Sequence, residues 1–331
     1  MPISVESTLS SYFTRKNFEG LLTKLPPPQT PVQDLLFPIA KRQQKASATI
    51  TYGEIEDATG AIPVVQRGAQ SYPINASQKS FETFEPTGFR PSIFVSAKEM
   101  NDAISTGIIQ NVNDFLRDKT EMLRQRIITS TEILCCQAMT GTIKYPAVTA
   151  AGLDEYTVNL GSPKTVSAVD ITGKALGALQ KMLEEHYVAQ VKTGAMRNIC
   201  FFAGSEVYSA IVDIIGKAQG QVPVQWLSDG SGGLVLFGKY RIMPAIFDYM
   251  LPGSRTLVSV IDAKSMKTVD LSNTGILFYM ALDDFAANLA PLPFFAKQVK
   301  SEDPSGYKII GMSKPLPAFA VKKTVDRKYL A

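Results

Sequence analysis

The run from about Asn101 to Met139 contains no proline and a single glycine, Gly107. Within it Ile109, Val112, Leu116, Leu123, Ile127 and Leu134 recur at spacings of three, four and seven, which is one apolar helix face. Asp114, Arg117, Glu121 and Arg124 stand three and four apart on another face and add modest helical support. Gly141 is placed to stop the helix. An element this long is unusual in a globular protein. It reads as a structural spine, along which the rest of the chain has to pack.

The residues before the spine are of a different kind. Six of the 20 prolines fall in the first 38 residues, among them Pro26-Pro27-Pro28 and Pro31. Proline fixes φ and removes a donor, so Leu25 to Pro38 is expected to be neither a regular helix nor a central strand. Yet Leu21, Leu22, Leu35, Leu36 and Phe37 are too apolar for a free linker. An extended arm lying on an apolar surface satisfies both facts. Ala46 to Ile55 alternates as a strand does. Pro63 to Pro86 is polar with scattered β-formers, and reads as a long hairpin projecting from the body. Ser92 to Ser96 is a further strand.

After the spine, Tyr156 to Leu160 reads as a returning strand. Ile171 to Val188 reads as a helix and Arg197 to Ala203 as an apolar strand. A second helix opens at Gly204-Ser205-Glu206, with Ser205 its expected cap. Leu234–Phe237, Tyr240–Met243 and Thr256–Ile261 read as short strands between turns. Residues 166–291 thus form an α/β block, and Lys308–Gly311 and Phe319–Val325 return to strands.

The classes that composition excludes are quickly stated. No stretch approaches the ~18 apolar residues of a membrane helix. Met1 to Ser11 lacks a basic segment followed by an apolar one, so no secretory signal is expected. Cys135, Cys136 and Cys200 offer neither a disulfide framework nor metal-ligand spacing, which fits a reducing cytoplasm. The net charge of +4 is weak for a nucleic-acid binder. It is unevenly placed: residues 1–45 hold six basic and three acidic side chains, residues 297–331 eight and three, so the body between is mildly acidic.

Catalytic constellations are equally scarce. His186 is the only histidine, which removes any two-histidine metal site, and no G-x-S-x-G elbow accompanies it. It reads as a histidine near a helix C-terminus, favoured there by the dipole. Gly233 to Lys239 matches the start of a phosphate loop, but Tyr240 stands where Ser or Thr must hold magnesium. Its Leu-Val-Leu-Phe centre reads as a strand between two turns. Glu184-Glu185 and Asp283-Asp284 are consecutive, so their side chains diverge. No catalytic residue, cofactor site or metal site is expected.

In order and spacing the chain resembles the major capsid proteins of tailed bacteriophages, in the lambda-like major capsid protein E family with the Hong Kong 97-type fold. Phe84-Glu85-Pro86-Thr87-Gly88-Phe89-Arg90-Pro91 is similar to that family's exit from its extended loop, and Leu123-Arg124-Gln125-Arg126-Ile127 to its spine helix. The third carrier is the C-terminal block, from Phe294 through Asp303-Pro304 and Ser313-Lys314-Pro315-Leu316-Pro317 to Tyr329-Leu330-Ala331.

The resemblance implies an α+β fold. An N-terminal arm would span 1–45 and an extended β-hairpin loop 64–88. A peripheral domain would combine 46–63, 89–165 (with the spine at about 101–139) and 292–331, and an inserted α/β axial domain would span 166–291. It also implies a subunit whose hexamers and pentamers tile an icosahedral virion shell, assembled in the host cytoplasm around packaged double-stranded DNA held non-specifically. Further implied partners are a portal, possible decoration proteins and a scaffolding protein. The scaffold is expected to be separate, because no coiled coil precedes residue 45. Inter-subunit contact is expected from Leu35, Leu36, Phe37, Arg67, Tyr72, Lys79, Phe81 and Phe84. Deleting 64–85 is expected to leave folded, unassembled subunits. Some members of the wider fold cross-link a loop lysine; Lys79 is the only lysine between 64 and 88, and a plain surface lysine is its simpler reading. Two other readings stay open: an encapsulin-like nanocompartment shell, and an α/β enzyme using 166–291.

Overall fold

The computed structural model describes residues 30–55, 79–105, 112–149, 152–194, 198–218, 224–228, 232–245, 248–250, 257–259 and 261–330. Its spine is α3, Val112–Thr140, whose 29 residues extend about 44 Å. The expected stripe is its buried face: Leu116, Leu123, Ile127 and Leu134 are all in the core. A helix α2, Ala97–Ser105, precedes the spine, and residues 106–111, with the expected stripe residue Ile109, lie outside the described residues. Gly107, the one poor helix former in the run, falls between the two and outside the described residues. Gly141 ends the spine at φ +92°, where an added Cβ would meet the Gly161 carbonyl at 2.0 Å.

The spine's two halves serve different cores. Leu116, Leu123 and Ile127 pack with Phe294, Ala296 and Ile309, beneath the sheet of β16 (Phe295–Ser301), β17 (Gly306–Met312) and β4 (Ser92–Ser96). Leu134, Cys135, Cys136 and Met139 belong to the largest core, with Tyr145, Leu277, Leu316 and Phe319.

The arm is not wholly extended. Pro31–Leu36 forms a short helix, α1, with the proline in its first turn. A proline there lacks only an N–H that would have no partner within the helix, and its fixed φ suits the turn. Beyond α1, β1 (Arg42–Lys45) pairs in parallel with β15 (Ile276–Met280), whose other side holds β18 (Pro315–Ala318). Pro315 and Pro317 sit on the edge of that sheet, where a missing donor does least harm.

A seven-stranded sheet dominates the α/β block, in the order β7-β19-β14-β8-β11-β10-β9. These strands are β7 (Lys164–Thr165), β8 (Ile199–Ala203), β9 (Val224–Trp226), β10 (Leu234–Leu236), β11 (Tyr240–Pro244), β14 (Ser265–Asp270) and β19 (Val325–Lys328). Helices α4 (Leu176–Val191) and α5 (Ser205–Lys217) cover one face, burying Leu179, Leu183, Val207 and Ile211 against Ile199 and Phe201. The other face joins the main core through Cys200 and Phe202.

Several boundaries differ from the sequence reading. The sheet recruits β19 from the C-terminal segment and cedes β15 to the arm's sheet, so 166–291 does not close on itself. Phe319–Val325 is not one strand: a 3-10 turn, Val321–Lys323, carries the chain from one sheet to the other. Helix α4 starts at Leu176 rather than Ile171, because Gly173 at φ +64° and the Asp170 carboxylate accepting Thr172 N–H hold a turn there. Gly204, not Ser205, is the cap of α5. A Cβ at Gly204 would lie 2.3 Å from the Asp262 carbonyl, so only glycine fits.

Candidate assembly surfaces

The arm meets the body at α1. Val32, Leu36 and Phe37 enter the main core and are fully buried, with the Phe37 and Phe319 rings 6.1 Å apart. The spine supplies the cap: Glu132 accepts the Val32 N–H on Oε1 at 2.7 Å and the Gln33 N–H on Oε2 at 3.0 Å. Arg42 holds the helix's other end, donating to the Phe37 carbonyl at 3.0 Å and pairing with Asp34 at 2.6 Å. These contacts correct the expectation that Leu36 and Phe37 lie between subunits, since neither has surface left to cover. Leu35 is half-buried and packs on the same core.

Lys79, Phe81 and Phe84 lie together on β3, Lys79–Phe84, which pairs with β2, Ile50–Ile55, in a two-stranded ribbon. Lys79 stands opposite Ile55, Phe81 opposite Gly53 and Phe84 opposite Ile50. The ribbon therefore begins at residue 50, ahead of the expected loop start at 64. Arg67 and Tyr72 lie outside the described residues.

Two exposed apolar features were not legible in the sequence. Phe285 is 90% exposed on a 3-10 turn, beside exposed Leu289. Its base is rigid: buried Asp284 accepts the Ala286 N–H at 2.9 Å and pairs with Lys297 and with Arg90. Burial alone would raise the Asp284 pKa; these partners more than offset it and hold it below the usual carboxylate value. The second feature is the cross-strand pair Met250 and Leu257, 61% and 60% exposed. They sit on the ribbon of β12 (Asp248–Met250) and β13 (Leu257–Ser259). With Gln125, Arg126, Thr129 and Ile133 of the spine they line a groove of about 630 Å³.

The titratable groups that the sequence singles out are held by burial or by ion pairs. His186 is wholly buried, and burial pushes it down to about 3. Its Nδ1 meets Tyr329 Oη at 3.0 Å, and its Nε2 meets Thr268 Oγ1 at 3.2 Å and the Val325 carbonyl at 3.3 Å. It is thus a neutral core residue that ties α4 to the C-terminal strand, not the dipole-favoured cation expected from its place near the helix end. Burial pushes Cys200 up to about 12 and raises Cys135 and Cys136 well above the ordinary thiol value. Glu184 and Glu185 diverge as expected, to Lys239 at 2.6 Å and to Arg327 at 2.9 Å. The phosphate-loop-like segment is strand β10, with Leu234 and Leu236 buried. Among the described residues no cluster of side chains could hold a metal ion, and no helix is long and apolar enough to cross a membrane.

The comparisons with known proteins agree with this architecture. A solved capsid protein of an Escherichia coli CFT073 prophage is 14% identical, covers 98% of both chains and superposes with a TM-score of 0.64. The capsid of Myoviridae phage XM1 is 10% identical over 96% of this chain and 98% of that one, with a TM-score of 0.50. At such identities the likeness carries the fold alone, a Hong Kong 97-type capsid fold. No curated protein matches the chain. The family model described as phage major capsid protein E matches residues 19–325. The match covers nearly the whole length, and the chain belongs to the phage major capsid protein E family, as a structural subunit of the viral shell.

Proposed function

We propose that the chain assembles in the host cytoplasm as hexamers and pentamers that close into an icosahedral shell around double-stranded DNA. A separate scaffolding protein, a portal and, in some shells, decoration proteins would complete the assembly. The observation that carries this reading beyond family membership is the β2–β3 ribbon. Among the described residues it has no third strand, and a two-stranded ribbon is marginal in water without another surface. A neighbouring subunit is the simplest surface in a shell of identical copies. Lys79, Phe81 and Phe84, with Arg67 and Tyr72 of the intervening segment, are proposed contacts there, and Phe285 and the Met250–Leu257 pair add apolar contact elsewhere.

The DNA contact would be diffuse, because binding strength scales with the phosphates a protein neutralises and the net charge is only +4. Catalysis forms no part of the proposal. The buried His186 and cysteines, and carboxylates paired outward with lysine and arginine, support a purely structural role. The encapsulin-like alternative is not favoured by the family match, and the enzyme alternative has no constellation among the described residues of 166–291 to rest on.

The test is the content of purified particles after nuclease treatment. Protected double-stranded DNA is the expected result. Particles that hold a protein cargo and no DNA would restore the nanocompartment reading.

A further inference from the structure

The seven-stranded sheet ends abruptly at β9. Among the described residues no strand lies beyond it. Its pairing with β10 places Trp226 opposite Leu234 and Val224 opposite Leu236, while Leu227 N–H bonds the Gly233 carbonyl at 2.9 Å. Antiparallel ladders alternate, so the N–H and C=O groups of Val224 and Trp226 face away from β10. Cross-strand partners share a face of the sheet. Leu234 and Leu236 are buried in the core under α4 and α5, so Val224 and Trp226 carry that same core out to the rim. There it stays open: Trp226, the only tryptophan of the chain, is 55% exposed.

Soluble proteins protect such edges with charges, prolines or short strands. The opposite edge does so, for β7 is two exposed residues beginning with Lys164. The β9 edge is short as well, three residues that follow Pro223, but it carries no charge. Between Ala218 and Phe237 the only charged residue is Asp229. An uncharged strand with outward hydrogen-bonding groups and a half-open indole suits a permanent contact, and tryptophan is enriched at the energetic centres of interfaces.

We infer that the β9 edge is an assembly interface whose occupant is a second copy of this chain, which takes the outward groups of Val224 and Trp226 and closes the core over the indole. The inference rests on the shell reading, because only a shell of identical copies presents every β9 edge with a copy to meet. It goes beyond that reading in naming the strand and the residue.

The sole tryptophan is also its own reporter. Emission and acrylamide quenching are measured on purified assembled particles and on the same particles dissociated to folded subunits. Assembly should shift emission to the blue and lower the quenching constant by a factor of about two or more, as enclosing a half-exposed ring requires. Trp226→Lys should keep the far-UV circular dichroism of the folded subunit and reduce the assembled fraction about tenfold. If that variant fails to fold, Gln225→Lys places a charge on the same exposed strand and carries the same expectation. Intact particles whose tryptophan is as quenchable as in free subunits would overturn the inference while leaving the shell reading intact, as would protection that appears only with a different protein bound. Failure to obtain particles under any condition would overturn both.

Discussion

Glu132 Oε1 accepts the backbone N–H of Val32 at 2.7 Å, across 100 positions of sequence, and its Oε2 takes the N–H of Gln33. A carboxylate on the spine thereby supplies the cap bonds that Thr30, at the N-cap position, does not accept, its hydroxyl donating to Asp34 instead. Burial raises Glu132 from 4.5 to about 7, against the opposing pull of those two N–H groups; Asp34 adds to the rise and Arg42 resists it.

That raised value sets a pH dependence. The folded state favours protonated Glu132, so its contribution to stability is complete below 4.5 and is lost as pH rises through about 7. The urea midpoint of the native chain should fall across a pH series bracketing neutrality. Glu132→Gln, which cannot ionise, should remove that step while losing about 1 kcal/mol from one weakened cap bond. An unchanged slope in the variant would remove Glu132 as its source.

His186 carries the opposite sign. Burial depresses it from 6.5 to about 3, so its contribution is present above 6.5 and lost as pH falls toward 3. His186→Ala should cost about 2–4 kcal/mol at neutral pH, chiefly from the cavity, since the Thr268 hydroxyl keeps Gln190 and the Tyr329 hydroxyl keeps the Met182 carbonyl as partners. Denaturant unfolding at neutral and acidic pH checks both parts. The variant should also show a shallower acid loss than the native chain.

Gly275 sets how closely the arm can lie. A Cβ there would stand 2.4 Å from Phe37 Cε1 and 2.7 Å from the Ala318 carbonyl. Gly275→Ala should therefore lower stability by about 1–3 kcal/mol and speed limited proteolysis between Thr30 and Lys45. Gly216→Ala is the control, because no atom lies within 4 Å of its added Cβ. In helix α5 it should raise stability by about 0.5–1 kcal/mol.

How much of this was legible in the sequence depends on the range of the interaction. The spine's buried stripe could be read because helical periodicity is local, and the divergence of Glu184 from Glu185 for the same reason. Pairings such as Glu132 with Val32, or His186 with Tyr329, link residues far apart in sequence, and neither spacing nor composition encodes them. Leu36 and Phe37 are too apolar to lie free and call for an apolar surface, but no sequence pattern says whether that surface belongs to the same copy. Phe285 has no sequence signature, because only its three-dimensional base, pinned by Asp284, sets it apart from any other turn phenylalanine.

Shortening the β2–β3 ribbon should separate folding from assembly. Replacing residues 56–78 with Asn-Gly would join Ile55 to Lys79, which already face each other in register, by a tight hairpin turn. The shortened chain should keep its cooperative unfolding transition and lose the ability to form shells. Normal shells from this variant would show that the intervening segment makes no essential contact.

As a shell subunit, this chain acts through copies of itself. Negative-stain electron microscopy of the purified full-length protein, paired with sedimentation, tests it most directly. Closed, uniform shells made of this chain are the predicted result. A stable monomer that saturably binds a small ligand would contradict the account and return attention to residues 166–291.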